Sequence, residues 1–287
     1  MVMRMPDALV ARARMLAQGG PWQPPEALDA ATVVLVRDGT AGLEVLLMRR
    51  PDSMAFAPGM HVFPGGRVDM SQDTRPPVRG SIRLAAGTDP EVGRALVVAG
   101  VRETFEEAGV LLAVDRSGRP AAPDDDWARD RRISESASAF PSVLARRRLV
   151  IEADRLVPVA HWITPEVESR RFDTRFLLAA LPARQEVDAH VTETDSAHWV
   201  LPADALSAHR ADRLAMLPPT VAVLADLAGQ RSVGDALNWA RTREVVPLMP
   251  RAEMSGDELR WVLVHGYTGE VLSEVDQPAG SEERGTR

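Results

Sequence analysis

The chain has 287 residues, 45% of them hydrophobic, no cysteine and a formal net charge of −7. This balance argues against broad nucleic-acid affinity. The missing cysteines exclude a disulfide framework, a thiolate nucleophile and a zinc–thiolate site. All 34 basic residues are Arg, a bias that GC-rich coding explains more simply than function does. No apolar run is long enough to span a bilayer, and Arg4, Asp7, Arg12 and Arg14 interrupt any signal core. A chain free of membrane segments and located in the cytoplasm is the expectation. The length suits one large domain or two small ones.

In chain order, Met5 to Gln18 reads as a short helix and Gly19 to Pro25 as a linker, so residues 1–25 precede a main domain expected over 26–276. Thr32 to Val36 is a β-branched strand. Arg37 to Gly42 turns it back into Glu44 to Arg49, forming a hairpin. Met54 to Pro64 is an irregular loop, with Met60-His61-Val62-Phe63 as a short strand. Residues 70–87, rich in Arg, Pro, Ser and Gly, read as an inserted loop. A long helix follows from about Asp89 to Ala108. Its expected start is a capping box with Thr88 as N-cap and Glu91 at the third helical position, and its stop is Gly109. Leu111 to Val114 reads as a strand.

The charged stretch at about 124–152 is a second expected insertion, helical from Ala128 to Glu152. Asp124-Asp125-Asp126 fits a solvated loop or helix cap better than a metal site, because adjacent residues do not face one another on a helix. Strands are expected at Leu156 to Ile163, Thr174 to Ala180, Ala197 to Val200 and Leu259 to His265. Helices are expected near Pro202 to His209, Pro218 to Ala228 and Val233 to Arg241, which makes the C-terminal part helical. Residues 277–287 read as a disordered tail. There is no internal repeat.

The chemistry-bearing feature is the end of the long helix, Arg102-Glu103-Thr104-Phe105-Glu106-Glu107-Ala108-Gly109-Val110. Glu103, Glu106 and Glu107 are spaced to share one helical face, where like charges repel. Such a cluster suits hard divalent cations, which take oxygen ligands from carboxylates and substrate phosphates. Val97, Val98, Val101 and Phe105 form an apolar stripe expected to face a sheet. Gly100, costly inside a helix, implies a close neighbour.

These residues, with Pro64-Gly65-Gly66, resemble the Nudix hydrolase family. Its motif is a Gly, five residues, a Glu, seven residues, then Arg-Glu-apolar-x-Glu-Glu-x-Gly-apolar. The second half matches from Arg102 to Val110, with Thr104 at an apolar position. Thirty-five residues separate Gly66 from Arg102, many more than the motif has. The intervening Glu has no counterpart at the usual spacing, where Gln72 and Arg94 stand; Asp69 and Glu91 are the candidates to replace it. Such an interrupted motif resembles the peroxisomal-type branch that cleaves coenzyme A and its acyl esters. Leu46-Leu47-Met48-Arg49-Arg50-Pro51, Gly59 and Phe63-Pro64-Gly65-Gly66 keep the spacing of that branch's preceding pattern. Met48, Pro51 and Ala55 replace its Thr, Ser and second Arg.

The resemblance implies a Nudix α/β/α sandwich with a mixed sheet, an insertion inside the motif and a helical C-terminal extension. It implies hydrolysis of a diphosphate, with Mg²⁺ or Mn²⁺ held by Glu103, Glu106, Glu107 and the Gly66 backbone. Arg102 then pairs with a carboxylate, and Glu103 or Glu193 is the general base. Arg50, His61, Phe63, Gly65 and Gly66 are candidates to meet the substrate. Coenzyme A or acyl-coenzyme A leads. ADP-ribose, dinucleotides, nucleotide sugars and a non-catalytic nucleotide sensor are the alternatives. His161, His190, His198, His209 and His265 share no metal-ligand spacing and read as structural, and Trp162 and Trp199 as core. A small-molecule partner is expected, with a homodimer compatible and no nucleic acid or membrane.

Overall fold

A computed structural model describes residues 7–54, 57–84, 88–188, 196–255 and 258–274. The chain divides into two compact units. The larger comprises Leu28–His161 and Phe172–Val246; the smaller comprises Met1–Ala27, Trp162–Arg171 and Pro247–Arg287. Glu193, His190, the last residues of the 70–87 stretch and the 277–287 tail lie outside the described residues.

The larger unit is built on β1 (Ala27–Gly39) and β2 (Gly42–Arg49), a tight antiparallel hairpin closed between Gly39 and Gly42. The strands run further toward the turn than the sequence suggests. Gly42, the first residue of β2, takes φ +132° as the chain leaves the turn, a conformation that favours glycine. Val33 to Val36 are buried without alternation, as in a strand covered on both faces. β3 (His61–Val62) pairs with the end of β2, and β4 (Gly65–Arg67) lies antiparallel on β1. Sheet order is β7 (Val157–Ile163), β8 (Arg171–Ala180), β1, β2, β3, with β9 (Ser196–Val200) also on β2. The sheet is mixed and flanked by helices, an α/β/α sandwich.

Helix α3 (Pro90–Ala108) is the central helix. Its cap is Asp89 rather than Thr88: the Asp89 carboxylate accepts the N–H groups of Glu91 and Val92. A carboxylate at the helix start also meets the positive end of the dipole, which favours it over a threonine hydroxyl. Val97, Val98, Val101 and Phe105 pack with Val33, Leu35, Leu46 and Met48 of the hairpin, as the stripe predicts. A second side is buried as well, where Ala95, Leu96 and Ala99 meet Ala31 and Val68. A Cβ on Gly100 would approach Val33 Cγ2 to 3.2 Å, so the small residue admits the sheet.

The two expected insertions contain more structure than loop or single helix. The first holds α2 (Met70–Asp73) and β5 (Val78–Arg79). The second holds α4 (Trp127–Ser134), α5 (Phe140–Arg147) and β6 (Ile151–Glu152), followed by a 3₁₀ turn at Ala153–Arg155. A continuous helix fails there because the Ser-rich link after Ser134 interrupts it and Pro141 opens a new first turn. β5 and β6 pair in parallel, Val78 with Ile151, which joins the insertions. Leu111 to Val114 is not a strand. Val114 makes only isolated bridges, and the Gln185 side chain takes both Leu111 N–H and Leu111 C=O.

Helices α6 (Pro202–Arg210), α7 (Pro218–Leu227) and α8 (Val233–Thr242) follow β9 as expected. Beyond α8 the described elements are strands: the late strand expected at Leu259 to His265 is present, and two further strands flank it. The smaller unit contains α1 (Asp7–Ala17) and an antiparallel meander of β10 (Pro247–Ser255), β11 (Glu258–His265) and β12 (Val271–Glu274). β10 escapes sequence reading because Pro247 and Pro250 argue against a strand. Here Ala13 packs with Val167 and Ala252, and the Trp22 indole donates to Glu166 O at 2.8 Å.

Phe105, fully buried, meets Trp127 edge-on at 5.2 Å. Phe105→Ala should lower the unfolding free energy by about 3–5 kcal/mol. Urea denaturation followed by fluorescence measures this; a loss below about 1 kcal/mol would contradict the packing.

Candidate active site

The last two turns of α3 carry the acidic residues, and β4 brings the diglycine to them. Gly65 N–H donates to Glu107 Oε2 at 2.9 Å. A Cβ built on Gly66 would come within 2.4–2.6 Å of the Glu103 carboxyl group, and one on Gly65 would strike Ala31 O and Thr32 Cα. Both glycines are therefore needed for close approach, Gly65 to β1 and Gly66 to Glu103.

Arg102 is the centre of the cluster and is only 4% exposed. Its Nε and Nη2 donate to the two oxygens of Asp73 at 3.0 and 3.2 Å, a bidentate pair. Nη2 also donates to Arg67 O at 3.1 Å. Nη1 donates to Glu103 Oε1 at 2.7 Å and Glu106 Oε1 at 3.2 Å. Burial by itself would lower the guanidinium pKa. Asp73, Glu103 and Glu106 together outweigh it and raise the pKa above the ordinary value.

Asp73 is the residue that linear spacing missed. It is 1% exposed and stands one position beyond Gln72. The short helix α2 turns it inward, while Asp69 spends its own carboxylate on capping α2 through Ser71. Glu91 lies exposed in the first turn of α3. Neither expected substitute meets Arg102; Asp73 does. The available signal was an acid near the family spacing, but only the α2 turn selects it over Asp69.

Three carboxylates share one guanidinium, so negative charge is left uncompensated. Burial, and then the Glu103 carboxylate, push the Glu106 acid up to about 8. Among the described residues no three His, Cys, Asp or Glu side chains form a ready-made ion cage. Arg102 Nη1 lies between Glu103 and Glu106. The donor set is nonetheless hard oxygen with surplus charge, and Gly66 leaves the Glu103 carboxyl group close to open backbone. The residues present thus fit a hard divalent ion by chemistry.

Other candidates fall differently. Phe63 is buried, edge-on to Phe176 at 6.4 Å; it fills the core and offers no surface to a ligand. His61 lies between β2 and the segment before α7, with its backbone N–H on Ala215 O and its ring 6.0 Å from His198. Burial lowers its pKa, the Ala215 bond opposes this, and His198 and Arg49 add to the lowering. Arg50 is half-buried beside it, and its backbone N–H is held by Met60 O. His161 is buried against Asp173 at 2.5 Å, and His209 bonds Leu214 O. Trp199 packs against the core, with Arg37 stacked over it.

Residues 74–227 match the family model described as NUDT19 Nudix domain. The chain belongs to the Nudix hydrolase family. Within that family it sits in the NUDT19 branch. The matched span contains α3 but begins one residue after Asp73, so the diglycine lies upstream of it. The acyl-coenzyme A diphosphatase NUDT19 of Xenopus laevis is 27% identical over 302 residues, covering 86% of this chain and 76% of that protein. A putative nudix hydrolase 7 of Caenorhabditis elegans is 29% identical over 200 residues, covering 70% of this chain and 60% of that protein. The crystal structure of a Nudix hydrolase from Alicyclobacillus acidocaldarius is 30% identical and superposes with a TM-score of 0.65, covering 74% of this chain and 96% of that one. This Nudix hydrolase is accordingly an enzyme of the diphosphate-cleaving class.

Asp73→Ala should strand the buried Arg102 and lower stability by about 3 kcal/mol. Thermal unfolding tests this, and an unchanged midpoint would deny Asp73 its place. Gly66→Ala should displace the Glu103 carboxyl group and cut kcat about tenfold, while stability changes by less than about 1 kcal/mol. Full activity would show that Glu103 need not lie against Gly66.

Proposed function

We propose that this Nudix hydrolase cleaves the diphosphate of coenzyme A or acyl-coenzyme A, using Mg²⁺ or Mn²⁺ held by Glu103, Glu106, Glu107 and the Gly66 backbone. The observation that carries the reading is the surplus of carboxylates gathered at the end of α3 directly against the diglycine strand. The ion's contribution is Lewis-acid chemistry: charge neutralisation on the diphosphate and a more acidic attacking water.

The chain's own residues supply orientation. Arg102 holds Glu103 and Glu106 from one side, fixing the carboxylates it touches. Glu107 is steadied by the Gly65 N–H, so strand and helix present their groups together. A carboxylate facing the attacking water accepts its proton; Glu103 is our candidate, and Glu193 is the second. Water adds to one phosphorus and the P–O–P bond breaks, releasing 3′,5′-ADP and the phosphopantetheine part. No covalent enzyme intermediate is required, in keeping with the lack of cysteine.

Two observations support the coenzyme A class. The Leu46-to-Gly66 stretch keeps the spacing of the coenzyme A pattern, with Arg50 at the matching position. A relative that spans 86% of the chain is named an acyl-coenzyme A diphosphatase. On this reading Arg50 and His61 are our candidates to meet the substrate's anionic groups.

Purified protein should be assayed with coenzyme A, acyl esters, NADH, ADP-ribose and diadenosine polyphosphates, with Mg²⁺, with Mn²⁺ and with EDTA, reading products by mass. We expect 3′,5′-ADP from coenzyme A and no turnover in EDTA. Glu107→Gln should reduce kcat by at least about a hundredfold. AMP from the other substrates with no 3′,5′-ADP would remove the coenzyme A reading. Undiminished activity in Glu107→Gln would remove the site.

A further inference from the structure

The end of α3 is held by a residue that belongs to neither the acidic motif nor the diglycine strand. Arg131, on α4 in the second insertion, is 7% exposed. Its Nε donates to Glu106 O at 3.0 Å and its Nη2 donates to Glu107 O at 3.0 Å. Its Nη1 pairs with Asp188 Oδ2 at 3.0 Å. The Asp188 N–H in turn donates to Ala108 O at 3.0 Å. The Trp127 indole, one turn earlier on α4, donates to Gly109 O at 3.0 Å.

These bonds satisfy the carbonyls of Glu106, Glu107, Ala108 and Gly109 in succession. A helix leaves its last carbonyls without partners inside the helix, and the negative end of its dipole gathers there. Here that end also carries the acidic side chains, so electrostatic strain concentrates in one turn. A guanidinium answers both: it bonds two carbonyls in one plane and brings a positive charge behind the acids. Gly109 makes room for it. A Cβ at that position would lie 3.2 Å from Arg131 Nη1, and the backbone there is at φ +70°. The two residues whose carbonyls it grips are the ones whose carboxylates point the other way, toward Arg102 and Gly65.

We propose that Arg131 is a positioning residue for catalysis, fixing the backbone of Glu106 and Glu107 so that their carboxylates stay in register with the diglycine strand. The second insertion would then serve as a clamp on the acidic helix end as well as a surface elaboration. The inference rests on the functional reading above, with Glu106 and Glu107 at the reacting centre.

The test compares Arg131→Met and Arg131→Lys with wild type, in Mg²⁺, on coenzyme A, or on ADP-ribose if coenzyme A is not turned over. The temperature is chosen so that circular dichroism shows every variant folded. Arg131→Met should lower kcat about tenfold to a hundredfold with KM within about twofold. Arg131→Lys, able to reach one carbonyl but not two, should recover part of that loss. Should Arg131→Met fail to fold, Arg131→Lys decides alone: a kcat within about twofold of wild type overturns the proposal, and a larger fall at unchanged KM supports it. In a folded Arg131→Met, an unchanged kcat, or a loss confined to KM, also overturns it. Glu107→Gln run in parallel separates the two readings. If that variant is inactive while Arg131→Met is not, the site stands and the clamp falls. If Glu107→Gln remains active, the functional reading itself has failed.

Discussion

The guanidinium of Arg102 is the contact on which the arrangement of the acidic residues depends. It links a short helix after the diglycine strand, the strand backbone at Arg67, and two successive turns of α3. A lysine could not serve there, because the geometry uses the planar fork: two bonds to one carboxylate and separate donors to others. Buried ion pairs of this kind are poor sources of net stability, since desolvation offsets their attraction. Their effect here is to fix direction. Asp73 anchors the guanidinium in the interior, and the anchored guanidinium then aims Glu103 and Glu106.

The rest of the larger unit supports that turn of helix. Packing on two sides of α3 leaves it little freedom to rotate, and Gly100 lets it sit close against β1. β1 also carries β4, so the strand that holds the diglycine and the helix that holds the acids are both referenced to the same central strand. The surplus negative charge is tolerated because the helix end is anchored by packing rather than by its own propensity. Repulsion between glutamates costs only tenths of a kcal/mol per pair on an exposed helix. With Glu106 and Glu103 partly buried, that cost rises: burial first, and the Glu103 carboxylate second, raise the Glu106 pKa.

Much of this was legible in the chain. The apolar stripe on α3, the β-branched run of β1, the apolar run of β8, and the glycines at Gly100 and Gly109 each follow from local rules that the tertiary structure obeys. The failures also have local causes. Thr88 and Asp89 are adjacent and both can cap, and only the folded backbone decides between them. Leu111 to Val114 has strand composition but finds a glutamine side chain where a strand would be. β10 carries two prolines. Asp73 looks like one more polar residue of an inserted loop until α2 turns it inward. Arg131 gives no local signal at all, because its partners are backbone carbonyls some two dozen residues earlier and an aspartate, Asp188, far later in the chain.

The long separation between Gly66 and Arg102 is less disruptive than linear spacing suggests. Lengthening a flexible connection costs only about 0.6 kcal/mol for each doubling. The connection here is also not free: α2, β5 and the start of α3 occupy much of it, and β5 is pinned to β6. The residues that need fixed spacing are those held within one element, and Arg102, Glu103, Glu106 and Glu107 keep theirs because a helix imposes it. Asp73 needs only to remain near the diglycine, and it does, since the added length comes after it. An insertion placed between the acid that anchors the arginine and the helix that bears it leaves the ion-pair geometry intact. The interruption therefore lengthens the motif without dividing the site, and it frees the chain to build the paired insertions around the end of α3.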